Sequence, residues 1–169
     1  MNKTAINILL TALVLIPVQA VFFNNMVLFN VAVPIVFIYI IISLPITYSA
    51  VMAMTIGFLT GTAVDVLSDT LGVNALCCTL LAFMQHGVFH LYVSSDIDLA
   101  EQRPSPRNMG AAAYMKYALT MTLLYCLMEF GIEAAMVFNL RLLVLRVIFS
   151  TIYSFVFIYG IARAVRFGN

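Results

Sequence analysis

The chain sets long apolar runs between short polar breaks, and the breaks mark out the elements. No charged residue occurs from Thr4 to Val64. One bilayer-crossing helix needs only about 20 apolar residues, so this run must fold back on itself. Asn24-Asn25, Pro34 and Pro45 supply the punctuation. The run then predicts helices over 4–23, 27–44 and 46–64, and later apolar runs predict helices over 74–93, 112–137 and 142–165. The polar stretch SSDIDLAEQRPSPRN, with Pro104 and Pro106, lies within a loop over 94–111, and Phe138-Asn139-Leu140-Arg141 reads as a tight turn. The expectation is one all-α membrane domain over 1–169, with six transmembrane helices in one bundle and both termini on one side.

Composition agrees with that class. The chain is 64% hydrophobic and 9% charged, too few charges to cover the surface of a water-soluble domain of 169 residues. Net charge is +1 and Lys and Arg are scattered, so no basic patch suggests nucleic acid. With the N-terminus in the cytoplasm, that side holds Lys3, Arg103, Arg107, Lys116, Arg163 and Arg166, and the other side holds Arg141 and Arg146. This bias predicts cytoplasmic N- and C-termini, a cytoplasmic 94–111 loop and an outward turn after Asp65. Met1-Asn2-Lys3 and Val18-Gln19-Ala20 loosely resemble a cleaved leader, but the apolar run continues through Phe23, and the first helix is read as a retained span.

The stretch from Ser49 to Asn74 carries the densest pattern. Ser49, Ala53, Gly57, Gly61 and Asp65 recur every four residues, which on a helix makes a strip of small side chains along one face. Gly57 and Gly61 form GxxxG, a device for close helix packing in lipid. The strip serves either packing inside the bundle or docking of a partner helix, and spacing alone leaves both open. Asp65, Ser68, Asp69 and Gly72 read as a turn, with Asn74 as the N-cap of the next helix.

Several polar residues are candidates for chemistry. Asp65 and Asp69 form DxxxD, a spacing that holds a divalent metal in some membrane transferases, but no further acids or bases lie nearby, so a water-facing capped turn is the reading adopted. His86 and His90 sit four apart and would need a third metal ligand such as Asp96 or Asp98. Glu129 and Glu133 fall deep in the fifth helix, where an ionisable group needs a partner. Folding the last two helices about Asn139-Leu140 places Glu133 level with Arg146 and predicts an ion pair. Glu129 then stands level with Ser150 with no cation, as an unpaired intramembrane acid. Cys77, Cys78 and Cys126 all lie inside spans, so no disulfide is expected. No nucleophile elbow, phosphate loop, haem motif or CxxC occurs. The expectation is no enzyme, no cofactor and no metal.

With these residues in view, the chain resembles the MreD family of rod-shape-determining membrane proteins. The resemblance rests on Gly57-Phe58-x-x-Gly61-x-x-x-Asp65-x-Leu67-Ser68 followed by Leu71-Gly72-Val73, with Ser43-Leu44-Pro45 and Pro34 before it. Its specific part covers 30–74, and the remainder agrees in hydropathy. Asp69 departs from the small residue, often Gly, that the family has there, and the C-terminal tail is short.

The resemblance implies a fold similar to the substrate-binding subunits of energy-coupling-factor transporters. It also implies a non-enzymatic scaffold of the bacterial cell-elongation complex in the cytoplasmic membrane. The partners implied are MreC directly, and MreB, RodA and a class B penicillin-binding transpeptidase in the same assembly. The alternative is a vitamin-binding transporter subunit on the same kind of fold. Such subunits carry Ala-xxx-Ala on the first helix, whereas here Ala5 is followed by Leu9 and Ala12 by Ile16.

Overall fold

A computed structural model describes residues 3–23, 32–70, 72–93, 104–134 and 140–167. The described residues are all-helical, in the order α1 Lys3–Val21, α2 Tyr39–Ile42, α3 Ala50–Ser68, α4 Val73–Tyr92, α5 Ala111–Ala134 and α6 Leu140–Phe167. Three helices are long and apolar enough to cross a membrane: α3, α4 and the Leu140–Arg163 part of α6. The apolar part of α1, Ile8–Val21, is shorter than a full span, and the 24-residue α5 carries Lys116, Glu129 and Glu133.

The largest departure from the sequence reading is at 27–44. Residues 24–31 lie outside the described residues, and from 32 to 38 there is no helix. α2 is then a single turn, so the described residues hold five long helices where six spans were expected. The physical reason begins with Pro34, which has no N–H to donate and steers Val33 away from the helical region. Pro45 does the same to Leu44. The ten residues between the two prolines are about half of what one helical crossing needs.

This broken stretch is the centre of the molecule. Val36, Ile38, Ile41, Ile42 and Leu44 are fully buried, with α1, α4, α5 and α6 contributing the residues around them. Non-helical backbone survives at membrane depth only where other protein groups satisfy its hydrogen bonds, and side chains from four helices do so. Val33 N–H donates to Ser150 Oγ at 3.0 Å and Ile35 N–H to Ser154 Oγ at 2.7 Å, both on α6. Gln19 on α1 takes the alternate positions: its Nε2 donates to Pro34 O at 2.9 Å and its Oε1 accepts from Val36 N–H at 2.8 Å. The alternation follows from strand-like backbone, whose polar groups point to opposite sides at successive residues. Two residues of strand advance about 6.6 Å, close to the about 6 Å that separates residues four apart on a helix. Ser150 and Ser154 therefore act as two rungs of a ladder.

Beyond α2, the carbonyls of Ile42, Leu44 and Ile46 are met by Tyr117 Oη at 3.3 Å, Gln85 Nε2 at 3.0 Å and His86 Nε2 at 2.7 Å. Ser49 then caps α3, its Oγ accepting from Met52 N–H at 3.3 Å. These contacts fix the direction of each helix. α1 and α3 start at one end of the bundle, with the C-termini of α4 and α6. The α3–α4 turn lies at the other end.

Candidate functional site

The small-residue strip on α3 faces α4. Ala53, Gly57, Gly61 and Asp65 are all buried. A methyl group placed on Gly57 would lie 2.7 Å from the Cys78 carbonyl oxygen and 3.1 Å from the Ala82 methyl. One placed on Gly61 would lie 2.7 Å from the Ala75 backbone nitrogen. Both glycines thus allow backbone-to-backbone contact that any side chain would forbid. The strip's inner members are spent within the molecule, and Ser49, exposed at the start of α3, serves as its cap.

At the top of the strip, Asp65 builds the polar centre of the α3–α4 turn. It is 5% exposed. Oδ1 accepts from Asn74 Nδ2 at 2.9 Å and Asn74 N–H at 3.2 Å, and Oδ2 accepts from Ala75 N–H at 2.8 Å. The Thr70 hydroxyl also donates to Oδ1. Asn74 Oδ1 in turn accepts from the Tyr125 hydroxyl of α5 at 2.5 Å. The N-cap of α4 is Gly72, which has no side chain to offer, and not Asn74, which sits inside the first turn. Asp65 supplies the missing acceptor from the preceding helix, placing a carboxylate on the unpaired N–H groups of α4. Asp69 and Gly72 take left-handed backbone, at φ 55° and 79°, to close the turn. Asp69 itself is exposed, so the two acids of the DxxxD motif point to different surroundings.

The α5–α6 pair holds Glu129, Glu133 and Arg146. Arg146 Nη1 donates to Glu133 Oε2 at 3.1 Å, and both side chains are about half exposed, at 45% and 51%. Glu129 Oε2 is buried without a hydrogen-bond partner. Ser150, which the sequence places level with Glu129, is instead committed to Val33 N–H.

The histidines diverge. His86 Nε2 meets the Ile46 carbonyl, which requires the proton on that nitrogen, while His90 is exposed and packs on the Phe89 ring. Asp96 and Asp98 lie outside the described residues. Among the described residues, no three His, Cys, Asp or Glu side chains gather in a way that could hold a metal ion. Cys77, Cys78 and Cys126 are free and buried.

Two features were not anticipated from the sequence. The first is the set of hydrogen bonds from Gln19, Ser150 and Ser154 to the central segment. The second is a cleft of about 300 Å³ between α1 and α3. Ile8, Ala12 and Ile16 line one side, Tyr48, Met52 and Ile56 the other, and Ile40 of α2 also lines it.

The remaining surface of α3 is apolar. Val51, Phe58 and Val66 are exposed along one flank, with Thr55 and Thr62 between them. Each threonine hydroxyl donates back to its own helix, to the Val51 and Phe58 carbonyls at 2.9 and 2.8 Å. The two threonines are small and self-satisfied, of the kind that helix–helix contacts in lipid employ, and Val51, Phe58 and Val66 add apolar area around them. Comparison of the chain with protein-family models, with curated proteins and with solved structures finds no match.

Proposed function

We propose that this protein is a non-enzymatic membrane scaffold of the MreD kind, in the bacterial cytoplasmic membrane with both termini cytoplasmic. In this reading it binds MreC directly and links it to MreB, RodA and a class B penicillin-binding transpeptidase during cell elongation. The observation that carries the reading is where the polar side chains are used. Gln19, Gln85, His86, Ser150 and Ser154 hold the central segment, and Asp65, Asn74 and Tyr125 hold the α3–α4 turn. Little polar chemistry is left to converge on a substrate, while α3 presents a flank suited to another helix. The transmembrane helix of MreC is assigned to the Val51–Thr55–Phe58–Thr62–Val66 face, since the glycine strip is taken by α4.

The vitamin-transporter alternative requires an enclosed pocket with several converging polar groups. In the described residues, the centre of the bundle is filled by 32–44, which favours the scaffold.

Depletion in a rod-shaped host, combined with affinity purification of the tagged chain, tests the proposal. Rounded cells and co-purified MreC are expected. Persistent rods with no MreC recovered, or a vitamin recovered in one-to-one amount, would contradict it.

A further inference from the structure

We infer that the cleft between α1 and α3 is a lipid site that takes one acyl chain of a membrane phospholipid. Its dimensions choose the occupant. On α1 the lining runs from Ile8 to Ile16, and on α3 from Met52 to Thr60. Each run is eight steps, or about 12 Å of helix rise. That is close to the about 15 Å depth of one leaflet, half of a 30 Å hydrocarbon core, and well short of a full crossing. Spread over that length, 300 Å³ gives a mean cross-section of about 25 Å². A helix 10 Å across needs about 80 Å², so a second transmembrane helix cannot lie within the cleft, whereas a single hydrocarbon chain can.

The chemistry agrees with the dimensions. The lining is apolar apart from Tyr48 and Thr60, and the Thr60 hydroxyl is already bonded to the Ile56 carbonyl at 2.7 Å. Tyr48 stands at the end of the bundle where α1 and α3 begin, half-buried, with its ring against the cleft. Tyrosine in that position sits at headgroup level in a bilayer, its ring in the apolar layer and its hydroxyl among polar groups.

The cleft is also continuous with the lipid-facing surface. Leu9, Met52 and Leu59, all exposed, line it where it opens sideways. Ile40, in contrast, is 1% exposed with the cleft empty and closes its floor. An empty apolar slot of this shape would forfeit its dispersion contacts, and a chain from the adjoining leaflet restores them.

The test uses the full wild-type chain in phospholipid vesicles doped with a phosphatidylcholine that carries a diazirine in one acyl chain. After irradiation, labelled residues are mapped by peptide mass spectrometry. Labels on Ala12, Ile16 and Ile56, at yields within about fivefold of the openly exposed Val66, are expected. Ala12→Phe, which fills the slot, should cut the Ile16 and Ile56 labels at least tenfold and leave Val66 unchanged. Labelling confined to outward residues such as Leu13 and Val66 in the wild-type chain would overturn the assignment. So would an Ala12→Phe protein that elutes as the folded wild type yet retains the Ile56 label.

Discussion

The α3–α4 contact and the segment that precedes α3, 32–44, are both largely buried and apolar, yet they solve opposite problems. In the hairpin, the helical backbone satisfies itself except at the turn, where Asp65 caps α4, and the facing side chains need only be small enough to let two helices touch. In the segment, the backbone is not self-sufficient, and other helices must extend polar side chains to it. The first problem leaves a periodic trace in sequence. The second leaves scattered Gln, Ser and His residues in apolar helices, which look like neutral passengers. The comparison teaches that in a lipid-facing bundle the polar residues worth attention include those whose partners are backbone groups far along the chain.

The largest effect expected is at the hairpin. Gly61→Leu forces a side chain into the backbone of α4 around Asn74 and Ala75. Overpacking typically costs about 1–3 kcal/mol and more where the obstacle is backbone that cannot yield, so thermal unfolding in detergent should show little folded protein. Asp65→Ala comes next. It strips acceptors from Asn74 N–H, Ala75 N–H and Thr70 hydroxyl, and about 2–4 kcal/mol of stability should be lost in a denaturant titration.

The segment is then probed by Ser154→Ala, which leaves the Ile35 N–H buried and unpaired. About 1–3 kcal/mol is expected, with faster amide exchange concentrated in 33–44. A Ser154→Ala protein that exchanges there like wild type would erase the contrast drawn between the two regions. The smallest effect is at Glu133→Gln. Its pair with Arg146 is half exposed, so less than about 1 kcal/mol should follow.

What the sequence disclosed tracks this division. The four-residue spacing of Ala53, Gly57, Gly61 and Asp65 marks a close-packed face, and the structure supplies the neighbour. The level of Glu133 against Arg146 follows from helix rise and the turn expected over 138–141, of which Leu140 and Arg141 already belong to α6 and 138–139 lie outside the described residues. The segment over 27–44 was read as a continuous span because its apolar content is that of a span, and Pro34 was read as lying near its start. Nothing local distinguishes that reading from a broken one. The deciding groups, Ser150 and Ser154, stand 117 and 119 residues away from the backbone they hold. The role of Asp65 as a cap for α4 was hidden for a related reason. Asn74 satisfies the usual cap pattern, and only the fold shows that a carboxylate from the preceding helix takes its place. The α1–α3 cleft depends on how two helices splay, which no residue pattern records.

Site-specific photocrosslinking tests the central claim most directly, with a benzophenone side chain placed in turn at Val51, Phe58 and Val66 on α3 and at Phe83 on the exposed side of α4. In cells that contain MreC, adducts with MreC are predicted at the three α3 positions and at least tenfold less at Phe83. Equal adducts at Phe83, or none along α3 while the two proteins still co-purify, would contradict the claim that α3 grips the partner with its outer flank.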